Sequence, residues 1–109
     1  MESSITEYPN GDKAWYLNGK RHREDGLPAI ECADGDKAWY LNGKRYREDG
    51  LPAIECADGY KEWYLNGKLH RTDGPAIEYA NGDKEWYLNG KEVTQNEVEW
   101  SAIEELFVL

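Results

Sequence analysis

Apolar residues in this chain alternate over short runs and then stop at a glycine. In Lys13-Ala14-Trp15-Tyr16-Leu17-Asn18, an extended strand places Trp15 and Leu17 on one face and Ala14 and Tyr16 on the other. In Pro28-Ala29-Ile30-Glu31-Cys32-Ala33, Ile30 and Cys32 oppose Ala29 and Glu31. A period of two over five or six residues marks a half-buried strand. The glycines that end these runs follow Asn or Asp, as in Asn18-Gly19 and Asp25-Gly26. Both residues of such a pair tolerate positive φ, so each pair reads as a tight hairpin turn.

The same punctuation recurs along the chain. Residues 11–34 and 35–58 are identical at 23 of 24 positions and differ only at His22 and Tyr46. Residues 59–81 keep the frame with one residue fewer, lost between Gly74 and Pro75 where the earlier units have Leu27 and Leu51. Residues 82–91 open a fourth unit and stop, and residues 5–10 match the end of a unit. The chain therefore divides into a half repeat (5–10), three full repeats (11–34, 35–58, 59–81), a truncated repeat (82–91) and a tail (92–109). Repeats of this length cannot bury their own apolar face, and stacked neighbours must supply the core. The expected fold is an all-β repeat: an elongated, single-layer antiparallel sheet of hairpins, about eight strands at two per repeat. The slot of Ala33, Ala57 and Ala80 holds Pro9 in the half repeat. Pro has no N–H to donate, which suits the one copy expected at an open edge.

The tail changes period. Thr94-Gln95-Asn96-Glu97 reads as a capping box. Val98, Ala102 and Leu106 then recur at i+4, with Trp100, Ile103 and Phe107 expected on the same side. The pattern predicts an amphipathic helix of three to four turns that caps the last strand edge. The alternative is an acidic helix whose Trp100 and Phe107 dock into a partner.

Charge narrows the function. The net charge is −9, with five acids and no base after residue 91 and a near-balanced repeat body before it. An acidic chain is a poor direct ligand for nucleic acid or an anionic membrane. Five Trp and eight Tyr argue against simple disorder. The longest apolar run, residues 106–109, is far short of a membrane span, which needs about 20 residues. Residues 1–7 have neither a basic nor an apolar leader segment, so no secretory signal is expected. With only two Cys, the expected setting is a reducing cytoplasm.

The residue types that carry chemistry do not converge. There is no paired nucleophile and base, no phosphate loop and no metal-ligand set, so no catalysis, metal or cofactor is expected. His22 and His70 lie two repeats apart, about 19 Å at ordinary strand spacing. The repeated loops that carry Arg23, Arg47 and Arg71 should stack along one rim. Their arginines are expected either to pair with carboxylates of neighbouring repeats or to form a binding rim. Trp15, Trp39, Trp63 and Trp86 form one expected stripe, with Tyr16, Tyr40, Tyr64 and Tyr87 on the other face. A single layer should leave one of the two at least half exposed. The tyrosines and the rim arginines are therefore candidate contacts, since aromatic and Arg side chains dominate interface hot spots.

The unit Trp-Tyr-Leu-Asn-Gly-Lys-x-His-Arg-x-Asp-Gly-Pro-Ala-Ile-Glu-Tyr resembles MORN repeats. It looks most like the divergent variant found in bacteriophages and giant viruses. MORN repeats normally place Gly after the His, whereas this chain has Arg23, Arg47 and Arg71. The resemblance spans residues 7–91. It implies a curved sheet of hairpins that scaffolds or binds proteins, phage or viral in origin. Three expectations follow: a module binding a host or viral protein, an inhibitor whose acidic surface occupies a nucleic-acid groove, or a self-associating scaffold, homodimer included.

Equivalent positions in adjacent repeats lie about 9.6 Å apart, beyond the roughly 4.4–6.8 Å between Cα atoms that a disulfide requires. Cys32 and Cys56 should therefore titrate as two free thiols in denaturant without reductant. Recovering none would mean that the repeat spacing is misread.

Overall fold

The computed structural model describes residues 2–107. The full repeats contribute three or four short strands each. The half repeat forms β1 (Ser3–Glu7), and the first full repeat forms β2 (Lys13–Leu17), β3 (Lys20–Arg21) and β4 (Ile30–Glu31). The second and third divide further, into β5 (Lys37–Ala38), β6 (Tyr40–Leu41), β7 (Lys44–Arg45) and β8 (Ile54–Glu55), then β9 (Lys61–Glu62), β10 (Tyr64–Leu65), β11 (Lys68–Leu69) and β12 (Ile77–Glu78). The chain closes with β13 (Lys84–Leu88), β14 (Lys91–Val93) and helix α1 (Gln95–Phe107). The fold is an all-β repeat with one C-terminal capping helix.

One antiparallel sheet runs β1-β2-β4-β5-β8-β9-β12-β13-β14, with β3 also on β2, while β6-β7 and β10-β11 stand off as two-stranded ribbons. Fourteen strands among the described residues replace the expected eight. Of the six extra, four (β3, β7, β11 and β14) are returns after Asn-Gly turns, and two come from breaks at Trp39 and Trp63. Asn18 and Gly19 both take positive φ, 51° and 78°, and fold Lys20 and Arg21 back onto Leu17 and Tyr16. The tryptophan is the corner between sheet and ribbon. The Trp39 N–H donates to the Ala53 carbonyl at 2.8 Å, and its own carbonyl accepts from the Tyr46 N–H at 3.0 Å. Trp15 and Trp63 do the same with Ala29 and His22, and with Ala76 and His70.

Those alanines occupy the tightest place in the fold: Ala29, Ala53 and Ala76 have no exposed surface. Trp39, Trp63 and Tyr40 are buried beside them, whereas Leu65 is exposed. Burial of both Trp39 and Tyr40 departs from the expectation that one aromatic stripe would stay open. The ribbons turn out of the sheet plane, and the Arg21 guanidinium lies 5.6 Å from the Tyr40 ring centroid. Its long apolar stem covers what a flat sheet would expose.

The outer turns are stapled in series. Asp12 Oδ1 accepts from the Ala33 N–H at 2.7 Å, and Asp36 Oδ1 from Ala57 at 2.8 Å. Pro9 occupies the equivalent slot of the half repeat and has no N–H to donate in such a bond. The molecule extends over 49 × 35 × 20 Å with a radius of gyration of 15.6 Å. A compact chain of this length would give about 13 Å, so the fold is elongated.

Helix α1 starts one residue after its cap. Thr94 Oγ1 accepts from the Glu97 N–H at 3.2 Å, as an N-cap should. The first residues of the tail, Glu92 and Val93, precede the cap and pair with Tyr87 and Trp86 as part of β14. Val98 is buried at 2% exposure, whereas Trp100 stays 62% and Ile103 43% exposed. Trp100 thus faces away from the buried side and Ile103 lies at its margin, beside Val98 and Trp86, contrary to the single apolar face expected. Two residues along a helix turn the side chain by about 200°. The side chains of Ala102, Leu106 and Phe107 lie outside the described residues. No described helix is long and apolar enough to cross a membrane.

Val98→Ala should lower stability by about 2 kcal/mol, and Trp100→Ala should change it by no more than about 0.5 kcal/mol. Thermal or urea melts of the two variants check this. The reverse order would mean that Trp100, not Val98, seats the helix.

Candidate functional site

The repeated motif builds a repeated cell. In each full repeat the arginine eight residues after the tryptophan lays its guanidinium over that indole. Arg23 sits 3.7 Å from the Trp15 centroid, Arg47 3.7 Å from Trp39 and Arg71 3.8 Å from Trp63. The same group donates to a carbonyl, Pro28, Pro52 or Pro75, at 3.1–3.2 Å. It also pairs with Glu31, Glu55 or Glu78. A cation over an aromatic face adds about 0.5–2 kcal/mol, depending on desolvation. These ion pairs run within one repeat. The expected pairing between repeats is instead carried by the indole edge. Trp39 Nε1 donates to the Gly26 carbonyl at 2.9 Å, and Trp63 Nε1 to Gly50 at 3.0 Å.

The three sequence-predicted arginines are therefore turned inward and neutralised. Their loops present the other residues outward. Glu24, Asp25, Glu48, Asp49 and Asp73 are exposed, and so are Leu27, Tyr46 and Leu51. One open groove lies between β1 and the first loop and two more lie between successive loops, each with one of the predicted tyrosines in its wall. Tyr16 lines a groove of about 560 Å³ with Ile5, Tyr40 one of about 360 Å³ with Leu27, and Tyr64 one of about 540 Å³ with Leu51 and Leu65. Tyr87 lines none of these three. Trp100 stands apart with Ile103, in a shallow depression on α1. Phe107 lies on the helix, its side chain outside the described residues.

The tyrosines make a second arrangement that sequence reasoning missed. Where the early repeats carry Ala14 and Ala38, the later ones carry Glu62 and Glu85. Glu62 accepts from the hydroxyls of Tyr60 and Tyr64, and Glu85 from those of Tyr79 and Tyr87. Arg45 donates to Tyr64 Oη at 2.6 Å, and the Tyr60 and Tyr79 rings meet edge to face at 5.5 Å. Alanine-to-glutamate changes beside extra tyrosines were the available signal. Burial and the Glu62 bond push the Tyr64 hydroxyl up to about 12. The Glu85 bond, then burial, pushes Tyr87 up to about 12, and Tyr60 and Tyr79 are raised too. Glu85 is lowered by its two phenol donors. Raised phenols are held as donors, so this cluster positions carboxylates rather than activating a nucleophile.

His22 and His70 serve the stacking. His22 Nδ1 accepts from the Asn42 N–H, and His70 Nδ1 from the Asn89 N–H, both at 2.9 Å. Cys32 and Cys56 are free and half-buried. Burial first and nearby aspartates second push both thiols up, which leaves them weak nucleophiles. Among the described residues, no group of three or more His, Cys, Asp or Glu is placed to hold a metal ion.

No family model, no curated protein and no solved structure matches this chain.

Tyr64 and Tyr87 have folded pKa values above the ordinary 10.0. The stability they contribute is full below pH 10 and is lost as pH rises through about 12. Phenolate absorbance should therefore resolve an early class of tyrosines and a late class that ionises together with unfolding. A single transition of all eight tyrosines near pH 10 would overturn this reading of the cluster.

Proposed function

We propose that this protein is a non-enzymatic, MORN-like interaction module of phage or viral origin. It binds a host or viral protein in the host-cell cytoplasm through its loop rim. The observation that carries the reading is the row of grooves lined by Tyr16, Tyr40 and Tyr64, edged by exposed leucines and carboxylates. Arg23, Arg47 and Arg71 are spent on internal ion pairs, so the rim charge is set by Glu24, Glu48 and their aspartate neighbours. A rim of apolar pockets under negative charge suits a protein that presents basic and apolar side chains, and charge of this sign steers such a partner and rejects acidic ones. No cofactor takes part.

The same inward turn of the arginines favours a second reading. A row of outward carboxylates repeating once per unit can occupy the nucleic-acid groove of a nuclease, making the protein a counter-defence inhibitor. Direct nucleic-acid binding has no support in this charge distribution.

Affinity capture on the intact chain, followed by competition with DNA and RNA, tests both readings. A single partner captured in stoichiometric amount, and released by salt, is the expected result. Release by nucleic acid selects the inhibitor reading. A chain that forms closed homo-oligomers by light scattering and captures nothing would overturn both in favour of a scaffold.

A further inference from the structure

β1 holds the place in the half repeat that β4, β8 and β12 hold in the full repeats, but it has a neighbour on one side only. β4 lies between β2 and β5, β8 between β5 and β9, and β12 between β9 and β13. β1 pairs with β2 and ends the sheet among the described residues. It is also longer, five residues against two. The repeats carry Pro28, Pro52 and Pro75 just before their strands, and Ser4 stands in that slot here, so the strand runs on. Ile5 stands where the repeats have Ala29, Ala53 and Ala76. Those alanines are fully buried, but Ile5 is 56% exposed.

The outer edge of β1 keeps its backbone groups free. On the inner side the Glu2 carbonyl accepts from the Asn18 N–H at 2.7 Å, and the Tyr8 N–H donates to the Asp12 carbonyl at 2.9 Å. The register between them runs unbroken from Ser3↔Leu17 to Glu7↔Lys13. Backbone groups alternate sides along an antiparallel strand. Ser4 and Thr6 therefore face β2 as well, while Ser3, Ile5 and Glu7 aim N–H and C=O outward. Trp15, opposite Ile5, agrees, since its own N–H and carbonyl turn away to Ala29 and His22. β3 does not cover this edge, because it pairs with Tyr16 and Leu17 on the other side of β2. Pro9 would be the next outward donor and has no N–H, so the usable edge stops at Glu7.

We infer that β1 is the seam of a symmetric dimer, in which two copies pair this strand antiparallel with Ile5 of each on the twofold axis. In this register Ile5 faces Ile5, and Ser3 of each copy faces Glu7 of the other. Glu2 faces Tyr8, a phenol and carboxylate pair of the kind Tyr79 and Glu85 make within the chain at 2.6 Å. Each outward residue then exchanges both of its backbone bonds, and no carboxylate faces another. Sliding the second copy toward Glu7 brings Pro9 into the ladder or sets Glu7 against Glu7. Sliding it toward Ser3 leaves the Glu7 amide and carbonyl unused. A second copy is the occupant because the edge is its own complement in length, charge and apolar centre. Three bonded residue pairs make a small contact, so the dimer is weak and depends on concentration. Ile5 also lines the groove that holds Tyr16, so the seam brings two such grooves side by side. The dimer goes beyond the protein-binding role and stands without it.

Sedimentation velocity of the intact chain over about a hundredfold range of concentration should show a monomer–dimer equilibrium. Ile5→Lys sets like charges opposite each other on the axis and should weaken it about tenfold or more. The Ile5 and Glu7 amides should gain exchange protection with concentration, while the Thr6 and Tyr8 amides stay protected throughout. Single cysteines locate the axis. Directly opposed residues with outward backbone bonds lie about 5.5 Å apart between Cα atoms, within reach of a disulfide. Under diamide, Ile5→Cys should form a covalent dimer far faster than Ser3→Cys, Glu7→Cys or the parent chain. A chain that stays monomeric over the whole range, a dimer that Ile5→Lys leaves unchanged, or crosslinking no faster at residue 5 than at residues 3 and 7 would each overturn the seam. A monomeric chain whose capture of a partner is abolished by Ile5→Lys would give the edge to that partner's strand instead, and the module reading would stand. A dimer at β1 that captures nothing keeps the seam and sinks the module reading alone.

Discussion

The hydrogen bond from a tryptophan indole to the glycine carbonyl of the preceding repeat is the contact on which this fold depends. A single repeat is a few two-residue strands and cannot stand in water. Trp39 reaches back to Gly26 and Trp63 to Gly50, so each unit borrows its neighbour's turn as a wall. The turn must expose that carbonyl, and Asp25-Gly26 and Asp49-Gly50 do so with both residues at positive φ. The arginine laid over the indole then closes the other side. Trp, Asp-Gly and Arg are thus one device spread over two repeats.

The ends of the array show what happens where the device cannot be completed. The third unit lacks the leucine after its glycine, and Gly74 does not take positive φ. Trp86 also has no arginine to cover it, because Thr94 stands in that slot. Thr94 instead caps α1, and Val98 and Ile103 line a recess with Trp86. The helix therefore replaces the missing arginine and the missing next strand together. At the other end the half repeat supplies a five-residue strand, β1, that pairs along the whole of β2.

The charge of the loop surface follows from the same arrangement. Arg23 and Arg47, consumed inside the cells, leave the exposed carboxylates of their own loops unpaired by them, and only Arg71 also meets the Asp73 of its loop. The rim is left negative even though the repeat body carries nearly balanced charge. The junctions between repeats differ in what crosses them: His22 and His70 accept from the next Asn-Gly turn, whereas at the second junction Tyr46 stands in the histidine slot and Arg45 reaches Tyr64 and Glu62.

Much of this was legible in the chain itself. The 24-residue period, the period-two runs and the Asn-Gly and Asp-Gly pairs determined a β-hairpin repeat, and Thr94 with Glu97 determined where the helix begins. Those signals are local, since turn chemistry and side-chain alternation act over a few residues. The number of strands, the burial of Tyr40 and the outward aim of Trp100 were decided only by the tertiary structure. So were the partners of Arg23, Arg47 and Arg71, which a linear pattern shows as charges on a rim. Which carboxylate an arginine meets, and which carbonyl an indole reaches, depends on how far one repeat is rotated against the next. Sequence spacing carries no measure of that rotation. It emerges only when Ala29, Ala53 and Ala76 pack to zero exposure and set how closely the repeats can stack.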